Sequence, residues 1–317
     1  MSLQDYINDF NADLKALADF VRGKFLINFP LHIDEIASLL HRDENIAQSS
    51  ETLELVIKSD SSVANLFTNY SFEGIEDVYR LSHHFPSNSI SSINLGDIKI
   101  IGKSTLRYQT TLHTVLAQNV EEVEESALMM LTQLSNFTGE KIKIIDNQAF
   151  YGTSALESFS FGMVEKIGEK GFYNSGIIEL IAPNLKTLGI LAFQNCSSLS
   201  TVKCAELESI PQGAFQNCKI LNNCSLPKVK KINSQAFYGC ASLQELELPK
   251  IDFIATTAFG GSGLKRLILS NDKKCTFAPL ALFNISLQEI KVPVDLLELY
   301  KSDPKLVEYH DIITPID

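Results

Sequence analysis

From about residue 90 to 292 the chain repeats itself every 22 residues, and no other feature constrains its fold as strongly. An apolar anchor recurs at Ile90, Leu112, Leu134, Leu156, Ile177, Leu199, Leu221, Leu243, Leu264 and Leu287. A second follows three residues later, at Ile93, Val115, Phe137, Phe159, Leu180, Val202, Cys224, Leu246, Leu267 and Ile290. Between anchors stands a small-plus-aromatic pair: Ala149-Phe150, Gly171-Phe172, Ala192-Phe193, Ala214-Phe215, Ala236-Phe237 and Ala258-Phe259. Residues two apart on a strand share a face, so the L-x-x-L-x-L spacing predicts a short strand in every turn, paired in parallel with the next. One such unit cannot bury its leucines and its phenylalanine alone. Stacked between two neighbours it buries them in a continuous column, which makes the chain a solenoid.

The rest of the composition narrows the function classes. With 317 residues, 45% apolar and 21% charged, the chain has material for one solenoid and a smaller attachment. A net charge of −11 argues against a nucleic-acid partner, because phosphate binding needs a basic footprint. The one basic cluster, Lys228, Lys230 and Lys231, reads as a solvated edge. No apolar run reaches about 18 residues, and the first residues carry Asp5, Asp9 and Asp13, so neither membrane insertion nor a signal segment is expected in the chain as numbered. Of six cysteines, Cys196, Cys218 and Cys240 lie 22 apart in successive turns, and Cys204 and Cys224 occupy slots that neighbouring turns fill with Leu226 and Val202. They read as reduced core thiols, and the lack of any C-x-x-C pair removes a zinc ribbon.

Motifs for catalysis do not assemble. Gly102-Lys103-Ser104-Thr105 has the letters of a phosphate-binding loop, but the glycine needed five residues earlier is Asp97. The string also aligns with residues 145–150, so the repeat already accounts for it. His32, His41, His83, His84, His113 and His310 show no H-E-x-x-H spacing. The runs Glu121-Glu122 and Glu124-Glu125 flank Val120 and Val123 as a solvated face, and no G-x-S-x-G elbow accompanies the serines. The expectation is a non-enzymatic protein without metal or cofactor.

What remains is surface. Positions between the strand leucines point outward, and the expected binding face comprises Asn94, Thr114, Leu116, Asn136, Thr138, Ser158, Ser160, Glu179, Ile181, Thr201, Lys203, Asn223, Ser225, Glu245, Glu247 and Arg266. Short polar side chains on a broad stiff sheet suit an extended protein or glycan partner better than a small molecule. At the other end, Ile7, Phe10, Leu14, Leu17 and Val21 form a helical seam. That seam can cap the solenoid or join copies into a homo-oligomer. Residues 33–40 show a second helical pattern, and 53–57 alternate like a strand.

The string 232–248, I-N-S-Q-A-F-Y-G-C-A-S-L-Q-E-L-E-L, resembles the Treponema-type, or BspA-like, leucine-rich repeats, whose turns read roughly I-x-x-x-A-F-x-x-C-x-S-L-x-x-L-x-L-P. Val292-Pro293, Tyr300-Lys301, Leu306 and Tyr309 stand at the spacings of that family's C-terminal cap, with Leu306 where the family usually has Trp. The resemblance implies an α/β solenoid, a right-handed leucine-rich-repeat superhelix with a parallel sheet and a C-terminal helical cap, to which the seam from Ile7 to Val21 adds a helical N-terminal attachment. The expected division is a helical segment 1–60, irregular first turns 61–89, repeats 90–292 and a cap 293–317. It also implies a recognition or adhesion protein of the cell surface. Residues 8–24 are faintly similar to the openings of some bacteriophage tail-associated proteins, which implies a virion component as the alternative. A hidden enzymatic site in residues 1–89 is the third reading.

Overall fold

The computed structural model describes residues 90–316, together with the backbone of Asn69–Ser71 and Arg80–Leu81. The expected helices of segment 1–60, the seam from Ile7 to Val21 and the pair His83-His84 lie outside the described residues. A typical coil contributes a three-residue front strand and a two-residue rear strand. The front strands are Asn69–Ser71, Ser92–Asn94, Thr114–Leu116, Asn136–Thr138, Glu179–Ile181, Thr201–Lys203, Asn223–Ser225, Glu245–Glu247, Arg266–Ile268, Glu289–Val292 and Ile313–Pro315. The rear strands run from Arg80–Leu81 to Thr276–Phe277, and all pairing on both sides is parallel. Register follows the period: Val115 pairs with Ile93 and Phe137, and Ile145 with Val123 and Ile167. The front ladder opens at residues 158–160 and again between Asn223–Ser225 and Glu245–Glu247, and the rear ladder opens between Thr187–Leu188 and Ser209–Ile210. The openings are staggered, so at each one the opposite sheet runs through.

The expected α/β composition needs correction, because no helix occurs in any described coil before residue 294. The stretch holding the small-aromatic pair is instead a run of turns. In it two residues four apart take a left-handed conformation, as in Gln148 and Gly152, Lys170 and Asn174, or Leu191 and Asn195. This geometry aims alternate amides at the next coil: Gln148 N donates to Glu169 O (2.8 Å), Phe150 N to Gly171 O (2.7 Å) and Gly152 N to Tyr173 O (2.8 Å). A helix would turn those donors inward on its own coil. Bonds between coils offset the roughly 1–2 kcal/mol that a left-handed residue other than glycine costs.

Inside, the phenylalanines form a stack through the coils. Phe150, Phe172, Phe193, Phe215, Phe237 and Phe259 are fully buried, with successive ring centroids 4.8 to 5.9 Å apart. A column of thiols runs beside them. Cys196, Cys218 and Cys240 donate to the carbonyl oxygens of Phe172, Phe193 and Phe215 at 3.0, 3.2 and 3.1 Å. All six cysteines are unpaired, and all but the half-buried Cys224 are buried. Unfolding without reductant should therefore release six thiols to a colorimetric thiol reagent, against almost none from the native chain. A count of four or fewer would mean disulfides between stacked coils.

Two anchor intervals are 21 residues long, from Leu156 to Ile177 and from Leu243 to Leu264, and each shortened turn ends on a glycine. The deletion pulls the backbone against the preceding coil. A Cβ on Gly176 would lie 2.3 Å from Ser154 O, and one on Gly263 only 2.0 Å from Ala241 O. Gly263→Ala should accordingly lower stability by about 3 kcal/mol through backbone displacement. An unchanged thermal midpoint would show that the short turn has slack.

Along one corner, the residue before each of the eight rear strands from Ile100–Ile101 to Phe253–Ile254 alternates in charge: Lys99, Glu121, Lys143, Glu165, Lys186, Glu208, Lys230, Asp252. Backbone bonds stack them, for example Lys143 N to Glu121 O (2.9 Å), Lys186 N to Glu165 O (2.9 Å) and Lys230 N to Glu208 O (2.8 Å). Ion pairs join Lys143 to Glu121 (2.8 Å), Lys186 to Glu165 (2.8 Å) and Lys230 to Glu208 (3.0 Å). The hydrogen bonds from Lys143 and Lys186 hold the carboxyls of Glu121 and Glu165 below their ordinary range.

After the last repeat come 3-10 turns at Val294–Leu296 and Pro304–Ile312 around a short helix, Leu297–Lys301. Tyr300 is buried, its hydroxyl accepting from Cys275 N (2.7 Å), and Leu306 is also buried. Tyr309 donates to Leu282 O (2.8 Å) and Lys305 Nζ to Phe277 O (2.6 Å). The segment ends in a strand whose Pro315 cannot donate, which blunts that edge against further pairing.

Candidate functional site

Alternation along each front strand sends its middle residue inward and its two flanking residues outward, so the front sheet carries two outward ladders. In Glu179–Ile181 and Glu245–Glu247 the pattern is clean, with exposed ends and a buried leucine. The sixteen residues expected to form the face do not share one environment. Asn136, Ser158, Ser160, Glu179, Ile181, Lys203, Asn223, Ser225, Glu245, Glu247 and Arg266 are exposed. Asn94, Thr114, Leu116 and Thr138 are half-buried. Thr201 corrects the expectation: it is only 7% exposed, although its partners on the adjacent strands, Glu179 and Asn223, are exposed.

Ser158 and Ser160 lie outside any strand, because Phe159 reorganises the coil. Its ring stacks on Phe137 (5.3 Å, 17°) and meets Phe150 and Phe172 edge-on at 5.1 and 5.3 Å, with Phe161 4.7 Å away. The aromatic cluster replaces ladder bonds at this point. Directly beside the opening lies an apolar pair: Ile181, 47% exposed and already among the expected face residues, and Ile178, 39% exposed, which the strand pattern does not select. Ile178 occupies the position that neighbouring coils fill with Glu157, Ser200 and Asn222, and that contrast is the one signal in the sequence that marks it.

The far end of the face is charged but self-compensated. Glu245, Arg266 and Glu289 are direct partners on adjacent strands, and Arg266 Nη2 donates to Glu245. That hydrogen bond, followed by the attraction of Glu245 and Glu289, raises the guanidinium pKa. Ser270 donates to Glu247 (3.1 Å). In the string Gly102 to Thr105, Lys103 pairs with Glu125 (2.7 Å), Ser104 is left-handed and Thr105 donates to Gly102 O (2.7 Å), which makes it an ordinary rear turn. Among the described residues no group of three or more His, Cys, Asp or Glu side chains converges as a metal site would require.

A family model described as the BspA type leucine rich repeat region matches residues 68–157, 129–228 and 208–302, with six copies in all. The chain belongs to the BspA-type leucine-rich repeat family. It shares its fold with a leucine-rich repeat protein from Bacteroides ovatus at 17% identity, covering 78% of this chain and 68% of that one, with a TM-score of 0.54. Similar chains also include the Treponema pallidum leucine rich repeat protein (18% identity, 56% and 83% covered, TM-score 0.46). A leucine rich cell surface protein from Faecalibacterium prausnitzii is a further one (18%, 71% and 79%, TM-score 0.40). No curated protein matches the chain. In this BspA-type chain the Ala-Phe pair and the Cys column take the inward positions of the turns, and the outward ladders vary from coil to coil.

Proposed function

We infer that this BspA-type protein is a non-catalytic recognition or adhesion protein whose front face binds an extended partner, protein or glycan. One observation carries the reading: Ile178 and Ile181 stand exposed at a rigid strand, beside a ladder opening and amid polar and charged side chains such as Ser160, Glu179 and Lys203. Large apolar side chains on a stiff support, ringed by polar groups, have the composition of an interface centre. This favours a protein segment over a glycan as the partner. The C-terminal segment, anchored by Tyr300, Lys305 and Tyr309, serves as the cap that covers the end of the apolar column.

Binding of the full chain to a panel of immobilised matrix proteins and glycans tests the reading, with Ile178→Asp/Ile181→Asp as the probe variant. The variant should bind at least about tenfold more weakly with its thermal midpoint unchanged, because both side chains point outward. Equal binding by wild type and variant, or no binding to any panel member, would remove the assignment.

A further inference from the structure

The corner column of alternating charge is matched to a partner of one kind. Its members are spaced by the coil repeat of about 4.8 Å, well inside the Debye length of about 8 Å at physiological salt, so the field cancels a short distance away. A uniformly charged partner gains nothing from it. Only a surface that alternates in sign at the same spacing can pair with it throughout, and the column itself is such a surface. An alternating string with an even number of members is its own complement when reversed. Set antiparallel across a two-fold axis, Lys99 meets Asp252 of a second copy, Glu121 meets Lys230, Lys143 meets Glu208 and Glu165 meets Lys186.

The flanking positions obey the same rule. Two residues earlier in each coil, Asp97 falls opposite Lys250 and Lys141 opposite Glu206; one residue later, Glu122 falls opposite Lys231. No like-charged pair arises in these three columns. The ammonium groups already bonded within the chain keep donors for a second carboxylate, since each has three. Met163, two residues before Glu165, is exposed by 48% and adds apolar area beside the axis. We propose that two copies of this chain associate antiparallel through the corner that carries Glu121, Lys143, Glu165, Lys186, Glu208 and Lys230.

Sedimentation velocity of the full chain tests this. The wild type should dimerise at ~20 mM salt, and ~500 mM salt should raise the dissociation constant at least about tenfold. Glu165→Lys sets two ammonium groups against each other at both symmetric contacts with Lys186 and should leave a monomer; Lys186→Glu should do the same with two carboxylates. An equimolar mixture of the two should form a heterodimer, and the double swap Glu165→Lys/Lys186→Glu should dimerise again, which also shows that the single variants fold. A monomeric wild type at low salt overturns the proposal. So does an oligomer indifferent to the single variants, as one held through residues 1–67 would be, or a double swap that stays monomeric.

Discussion

Phe215→Ala is expected to destabilise the chain by about 3 to 5 kcal/mol in denaturant titration. The ring is fully buried and lies between Phe193 (5.9 Å, 19°) and Phe237 (5.4 Å, 22°). Truncation removes its transfer free energy and also two ring contacts, each worth about 0.5 to 1.5 kcal/mol. The neighbours cannot close the void, because their backbones are held at the coil spacing by Phe193 N to Ala214 O (2.8 Å) and Phe215 N to Ala236 O (2.9 Å). In a solenoid each coil is stabilised only by the coils beside it, so the loss should also broaden the transition as the two halves uncouple. A loss below about 1 kcal/mol would show that the aromatic stack contributes little to cohesion.

Stability should fall steeply above about pH 9. Burial pushes the thiols up from an ordinary value near 9: Cys196 to about 11, and Cys204, Cys240 and Cys275 to about 12. Cys218 rises well above its ordinary value, first through burial and then through Cys196 and Cys240. The sign follows from proton binding. Below pH 9 both states keep the thiol proton and stability is flat; above it the unfolded chain loses protons that the folded chain retains, so stability drops until the folded values near 11 to 12 are passed. Each such thiol costs roughly 1 kcal/mol per pH unit in that window, and five together approach the whole stability of a typical domain. Cooperative unfolding between about pH 9 and 11 is expected in circular dichroism. Cys218→Ala should flatten the pH slope by one thiol's share while lowering stability at neutral pH. A denaturation midpoint equal at pH 8 and pH 10.5 would contradict the burial of these thiols.

The parallel stack, its register and the residues that fill it were legible in the sequence. The reason is that a solenoid reduces tertiary contact to a one-dimensional rule, in which residues one period apart are neighbours. Placing Ala214-Phe215 one period from Ala192-Phe193 and Ala236-Phe237 was enough to put Phe215 between the other two rings. The same rule aligned Cys196, Cys218 and Cys240, and it assigned Lys103 and Ser104 to an ordinary turn. The alternation of Lys143, Glu165 and Lys186 was equally present in the letters, but its meaning depended on knowing that these residues share a corner.

What the period could not decide is where neighbouring coils compete. The turn holding the Ala-Phe pair could have been helical by composition; it is not, because left-handed residues such as Gln148 and Lys170 direct its amides to the next coil. The front ladder opens at 158–160 because the Phe159 ring packs against Phe137, Phe150 and Phe172, a choice set by volume across three coils rather than by spacing in one. Spacing alone likewise does not tell that Thr201 is buried and Ile178 exposed. A repeat determines which positions meet; the shapes and hydrogen bonds of the particular side chains that meet there determine which of them face the solvent, and only the folded stack holds that information.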